Sequence, residues 1–117
     1  MALFRLTKGK AGFGQVNIAG GVVTGAAGAA TLNKAAGIVT TETLTTAAGA
    51  TFTETLTDSQ IAAGDVVLAS VTTAGTGMPV ITKIAPAAGS VVIVIQNIHA
   101  TVAFSAALKI AFVVIKQ

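Results

Sequence analysis

Six runs of β-branched residues, separated by one recurring short phrase, limit the folds open to this chain more than any other feature. The runs are GIVTTETLTT (37–46), ATFTETLT (50–57), DVVLASV (65–71), PVITKIA (79–85), SVVIVIQNI (90–98) and LKIAFVVIK (108–116). Val, Ile, Thr and Phe pack well on a pleated, half-buried surface. The phrase AAG recurs at Ala35–Gly37, Ala47–Gly49, Ala62–Gly64 and Ala87–Gly89, and GTGMP stands at 75–79. Small residues ending in glycine read as turns, because glycine accepts positive φ. No window carries a 3.6-residue apolar stripe over three turns. Strand-length runs with regular turns predict an all-β fold, an antiparallel β-sandwich of jelly-roll-like type over residues 31–117.

Two of the runs are apolar on both faces. Along 90–98, Val91, Ile93 and Ile95 alternate with Val92 and Val94. Along 108–116, Leu108, Ile110, Phe112 and Val114 alternate with Lys109, Ala111, Val113 and Ile115. A strand of a solitary sandwich turns a polar face to water. Something therefore covers Val92, Val94, Val113 and Ile115, and a second copy of the chain is the simplest cover. The composition agrees: only 9% of the 117 residues are charged, against roughly 25% in an ordinary soluble domain. The expectation is one domain that forms an obligate homo-oligomer, a closed ring. A membrane span is not expected. The longest uncharged stretch, 11–33, is broken by six glycines and by Gln15, Asn17, Thr24 and Thr31. With no cysteine, disulfides and thiolate chemistry are excluded.

Residues 1–30 differ in character. They hold seven of the thirteen glycines, six of them within AGFGQVNIAGGVVTGAAGAA at 11–30. Glycine loses the most conformational freedom on folding, so this segment is expected to be an extended arm that orders along a neighbour. Arg5, Lys8 and Lys10 give the arm the chain's net positive charge, since the lysines and acids after residue 30 balance. Together with Phe13 these are the candidate contacts to an acidic partner surface. Three basic residues are too few for a nucleic-acid arm, whose affinity grows with each phosphate neutralised.

The pentapeptide TETLT occurs twice, at 41–45 and 53–57, and carries two of the four acidic residues, Glu42 and Glu54. If Ala47–Gly49 closed a hairpin, Leu44 would face Phe52 and Glu42 would face Glu54. Like charges directly opposite cost about 0.2–1 kcal/mol. A shift of one residue parts them but sends Leu44 and Phe52 to opposite faces. The conflict disappears if the copies lie in different sheets, or if a cation sits between the carboxylates. Nine of the eighteen residues 40–57 are threonine, so the expectation is two unpaired strands with both glutamates on a Thr-rich surface, and no metal. A carboxylate-pair glycosidase would need sugar-stacking aromatics, and the chain has no Trp and no Tyr.

Other chemistry is thin. His99, the one histidine, sits in QNIHATVAF, with no serine in a nucleophile-elbow context to complete a triad. It reads as a loop histidine bonded to backbone. GFG at 12–14 and GTG at 75–77 lack the strand–turn–helix setting of a phosphate loop. The chain is not expected to be an enzyme or to hold a cofactor.

The phrases GIVTTETLT, AAGDVVLAS and PAAGSVVIVIQNIHA within 31–117 resemble small virion proteins of tailed bacteriophages, the jelly-roll-like modules used as capsid decoration or cement proteins and as fibre tips. The resemblance implies a trimer on the capsid exterior, made in the host cytoplasm. It also implies an N-terminal arm that docks on the major capsid protein, and no nucleic-acid or membrane partner. The alternative it carries is a tail or head fibre tip that binds a host-surface glycan.

Overall fold

A computed structural model of the protein describes residues 20–117 and, before them, the strand backbones of β1 (Leu6–Lys8) and β2 (Gly14–Val16). β1 and β2 pair antiparallel as a small separate sheet. Arg5, Lys10 and Phe13, named above as arm contacts, lie outside the described residues, as does the side chain of Lys8.

The rest is all-β. The strands are β3 (Gly21–Thr24), β4 (Ala29–Thr31), β5 (Ala36–Thr40), β6 (Thr51–Thr57), β7 (Val66–Thr73), β8 (Pro79–Ala87), β9 (Ser90–Asn97) and β10 (Leu108–Ile115). They form two four-stranded sheets. Sheet I has the order β3-β5-β10-β7 and sheet II the order β4-β6-β9-β8. One core joins their inner faces. Sheet I contributes Val39, Val67, Leu108, Ile110, Phe112 and Val114, and sheet II contributes Leu56, Val91, Ile93 and Ile95. The arrangement is β-sandwich-like, and among the described residues no helix is long and apolar enough to cross a membrane.

Two details depart from the sequence reading. The sheets are not wholly antiparallel: β3 runs parallel to β5, and β4 parallel to β6. Part of the Gly-rich segment thus adds one edge strand to each sheet. The second departure is Ala35–Gly37, which is no turn. Ala36 and Gly37 open β5. A Cβ on Gly37 would lie 2.5 Å from Leu32 Cδ2 and 2.7 Å from the Gly21 carbonyl oxygen, so glycine is there for close approach between strands. The other AAG phrases do turn the chain. Gly49 and Gly89 have φ of 80° and 79°, and Ala88–Gly89 closes the β8–β9 hairpin in two residues.

Period-2 alternation sets each strand's faces. In β9, Val91, Ile93, Ile95 and Asn97 are buried while Val92 and Val94 are half-buried. In β10, Leu108, Ile110, Phe112 and Val114 are buried while Lys109 and Ala111 are exposed. Val92 and Val94 lie on the outer face of sheet II, among the threonines of β6. Val113 and Ile115 lie on the outer face of sheet I, paired with Leu68 and Val66.

Candidate functional site

The two glutamates overturn the surface reading. β6 alternates Phe52, Glu54 and Leu56 inward with Thr51, Thr53, Thr55 and Thr57 outward. Glu54 is 0% exposed, and its antiparallel partner on β9 is the equally buried Ile93. The first TETLT copy is not a strand. Thr41 prolongs the β5–β10 ladder, its N–H donating to the Leu108 carbonyl and its hydroxyl accepting from the Leu108 N–H. From Glu42 the chain leaves the sheet as an irregular segment tied loosely to the 104–106 stretch. The copies therefore do not pair. The fold nonetheless sets both carboxylates at the same turn, Gly25–Ala29, where the charge of Glu42 acts on Glu54.

A tight turn seats the pair. Ala26 and Ala29 exchange both backbone hydrogen bonds around Ala27 and Gly28, which have φ of 53° and 75°. Two central residues with positive φ define a type I′ turn. The Gly28 N–H donates to Glu42 Oε2 at 3.0 Å, and the Gly28 carbonyl accepts from Thr55 N–H. Gly25, also buried, faces Glu54. A Cβ there would stand 3.2 Å from Glu54 Oε1 and 2.9 Å from the Ala29 carbonyl oxygen. Glycine at position 25 therefore permits the close approach of the turn to that carboxylate.

Electrostatically the site is unbalanced. Glu54 Oε1 and Oε2 and Glu42 Oε1 are buried without a hydrogen-bond partner. Burial and, after it, the neighbouring Glu42 charge push the Glu54 carboxyl up to about 7. Desolvation and like charge both disfavour the ionised form.

The remaining acids sit in a different setting. Asp58 and Asp65 cap the turns between β6 and β7, accepting from Gln60 N–H and Ala62 N–H. Lys116 pairs with Asp65 and donates to the Gln60 carbonyl. The Lys116 hydrogen bond holds the Asp65 carboxyl below its ordinary value. Burial raises Asp58, against the pull of the Gln60 and Lys34 N–H groups.

At the opposite loop cluster, His99 does what a loop histidine was expected to do. Its Nδ1 accepts from the N–H groups of Thr101 and Val102. The organiser there is Asn97, which sequence reasoning passed over. Fully buried, it accepts from Met78 and His99 N–H and donates to the Thr46 and Val102 carbonyls. One side chain thus fixes three loops. Its only sequence signal is position: it falls on the inward parity of β9 after Val91, Ile93 and Ile95.

Among the described residues no group of three or more His, Asp or Glu side chains converges. No protein-family model matches this chain, and comparison with curated proteins and with solved structures finds no match.

Proposed function

We propose that the chain is a structural protein of a tailed-bacteriophage virion: a jelly-roll-like module that trimerises and decorates the capsid exterior, stabilising the shell by binding it only when assembled. The observation that supports this reading most is the outer face of sheet I. Val22, Ile38, Ala111 and Ser70 form one cross-strand row, and Val113–Leu68 and Ile115–Val66 extend it. Val22 is 71% exposed and Leu68 53%. Among the described residues of these strands, Lys109 is the only charged side chain on this face, at its border. A continuous apolar face of this kind suits burial against another copy. The jelly-roll-like part of the reading rests on the chain crossing between sheets at every step from β3 to β8.

In this reading the segment before residue 20 docks on the major capsid protein, with Arg5, Lys8, Lys10 and Phe13 as contacts. A ligand that binds only the assembled lattice stabilises it by mass action, and several arms on one trimer raise avidity. The test is a deletion of residues 1–19, which spares β3 and β4. The expected product is a folded trimer by light scattering that no longer binds particles. Particle binding equal to that of the full chain, or a monomer at micromolar concentration, overturns the proposal. Low copy number per virion together with glycan binding would replace it with the fibre-tip reading.

A further inference from the structure

The chain has four acidic residues, and two of them lie at one interior turn where, among the described residues, neither forms an ion pair. Three features coincide at that place. Glu54 is fully buried with both carboxylate oxygens unpartnered, and Glu42 Oε1 is buried and unpartnered beside it. The turn over them presents no side chain larger than a methyl: Gly25, Ala26, Ala27, Gly28, Ala29. Gly25 lets the backbone of that turn approach Glu54 Oε1 and the Ala29 carbonyl oxygen closely, since a Cβ there would stand 3.2 Å and 2.9 Å from them. The walls are Phe52, Leu56 and Ile93, none of which donates a hydrogen bond. Glu42 is the one charged group that acts on Glu54. The chain's one described ion pair, Lys116–Asp65, belongs to the other acidic pair.

From this geometry we propose that Glu42 and Glu54, beneath the Gly25–Ala29 turn, form a divalent-cation site of calcium type. An all-oxygen donor set without nitrogen or sulfur selects hard cations. Two carboxylates match the charge of one such ion, and their four oxygens supply part of its shell. Backbone carbonyl groups and water supply the rest, as calcium's flexible coordination allows. Glu42 is only half-buried, so it marks the side from which an ion enters. A bound ion ties the irregular 41–50 segment, through Glu42, to β6 of the facing sheet, through Glu54. This gives the repeated TETLT a chemical role that the virion reading does not require.

The test uses the full chain, stripped with chelator, and calcium ion alone as probe, followed by calorimetry and by thermal unfolding. One ion per chain is expected, with a melting temperature that climbs with calcium concentration. Glu54→Gln should abolish the response and Glu42→Gln should weaken it. Lys116→Met, remote from the site, should leave it unchanged. The proposal is overturned if wild-type protein at about pH 8 shows no response to millimolar calcium, or if the folded Glu54→Gln variant responds like wild type. None of these results bears on trimer formation or particle binding, so the two proposals stand or fall separately.

Discussion

The four acids of this chain are housed in two contrasting ways. Asp58 and Asp65 stand at turns where backbone N–H groups point at their oxygens, and Lys116 reaches Asp65. Glu42 and Glu54 stand under a turn that offers them a single N–H, on Glu42 Oε2. Asp65 is stabilised as an anion and its carboxyl falls below the usual range, whereas Glu54 is destabilised as an anion and rises to about 7. Burial raises Asp58 as it raises Glu54, both 0% exposed, but Asp58 Oδ1 keeps a backbone N–H donor while both Glu54 oxygens have none. What differs is the supply of donors, and that is set by which backbone segment each carboxylate meets.

This contrast can be broken from either side. The largest effect is expected from Glu54. Its carboxyl binds a proton more tightly in the folded chain, so without added divalent ions stability is highest below the ordinary value of 4.5 and falls until pH passes about 7. The loss amounts to about 3 kcal/mol at most. Denaturant titrations of wild type and Glu54→Gln across that interval should converge in acid and diverge in base, with the variant more stable at high pH. Parallel curves would show that Glu54 does not carry the dependence.

Next comes Gly25→Ala. The methyl group must displace either the Ala29 carbonyl or the Glu54 carboxylate, at an expected cost of about 1–3 kcal/mol. An unchanged unfolding midpoint would mean that the turn gives way freely.

Lys116→Met removes the cation from the well-supplied pair. Asp65 keeps its bond from Ala62 N–H, so the loss should be about 1 kcal/mol, measured as a shift of the urea midpoint at neutral pH. It should shrink as pH falls through the lowered Asp65 value, because the pair contributes only while Asp65 is ionised.

The smallest effect is expected from Thr53→Glu. This places a glutamate one residue from Glu54 but on the outward parity of β6, and stability should move by no more than about 0.5 kcal/mol. A large loss would contradict the assignment of faces.

Much of this architecture is visible in the chain's pattern. Each β-branched run holds a strand, although that of 37–46 ends at Thr40, and Val91, Ile93 and Ile95 fell on the core side by alternation alone. Glu54 was legible by the same rule, because it shares its parity with Phe52 and Leu56 while the threonines occupy the other. The threonine count hid this, since it describes the outer face only. The meeting of Glu42 with Glu54 was not legible. It depends on the stacking of two sheets and on a type I′ turn within a stretch that reads as featureless glycine and alanine. β3 and β4 were missed for the same reason: their place is fixed by backbone pairing to β5 and β6 more than by their side chains. Gly37 looked like a turn because its true constraint, the nearness of Leu32 and Gly21, is a tertiary contact.

The position of β10 between β5 and β7 bears on how the molecule is made. β6, β8 and β9 can pair as soon as residue 97 has been synthesised, helped by the two-residue β8–β9 turn. Sheet I has no such early nucleus, because β5 and β7 touch only through residues 108–115. Pairing across such long sequence separations is slow and leaves apolar surface open meanwhile. Until β10 emerges, sheet I is limited to the β3–β5 pair and much of the inner face of sheet II stays open, so β10 is the strand that closes this core.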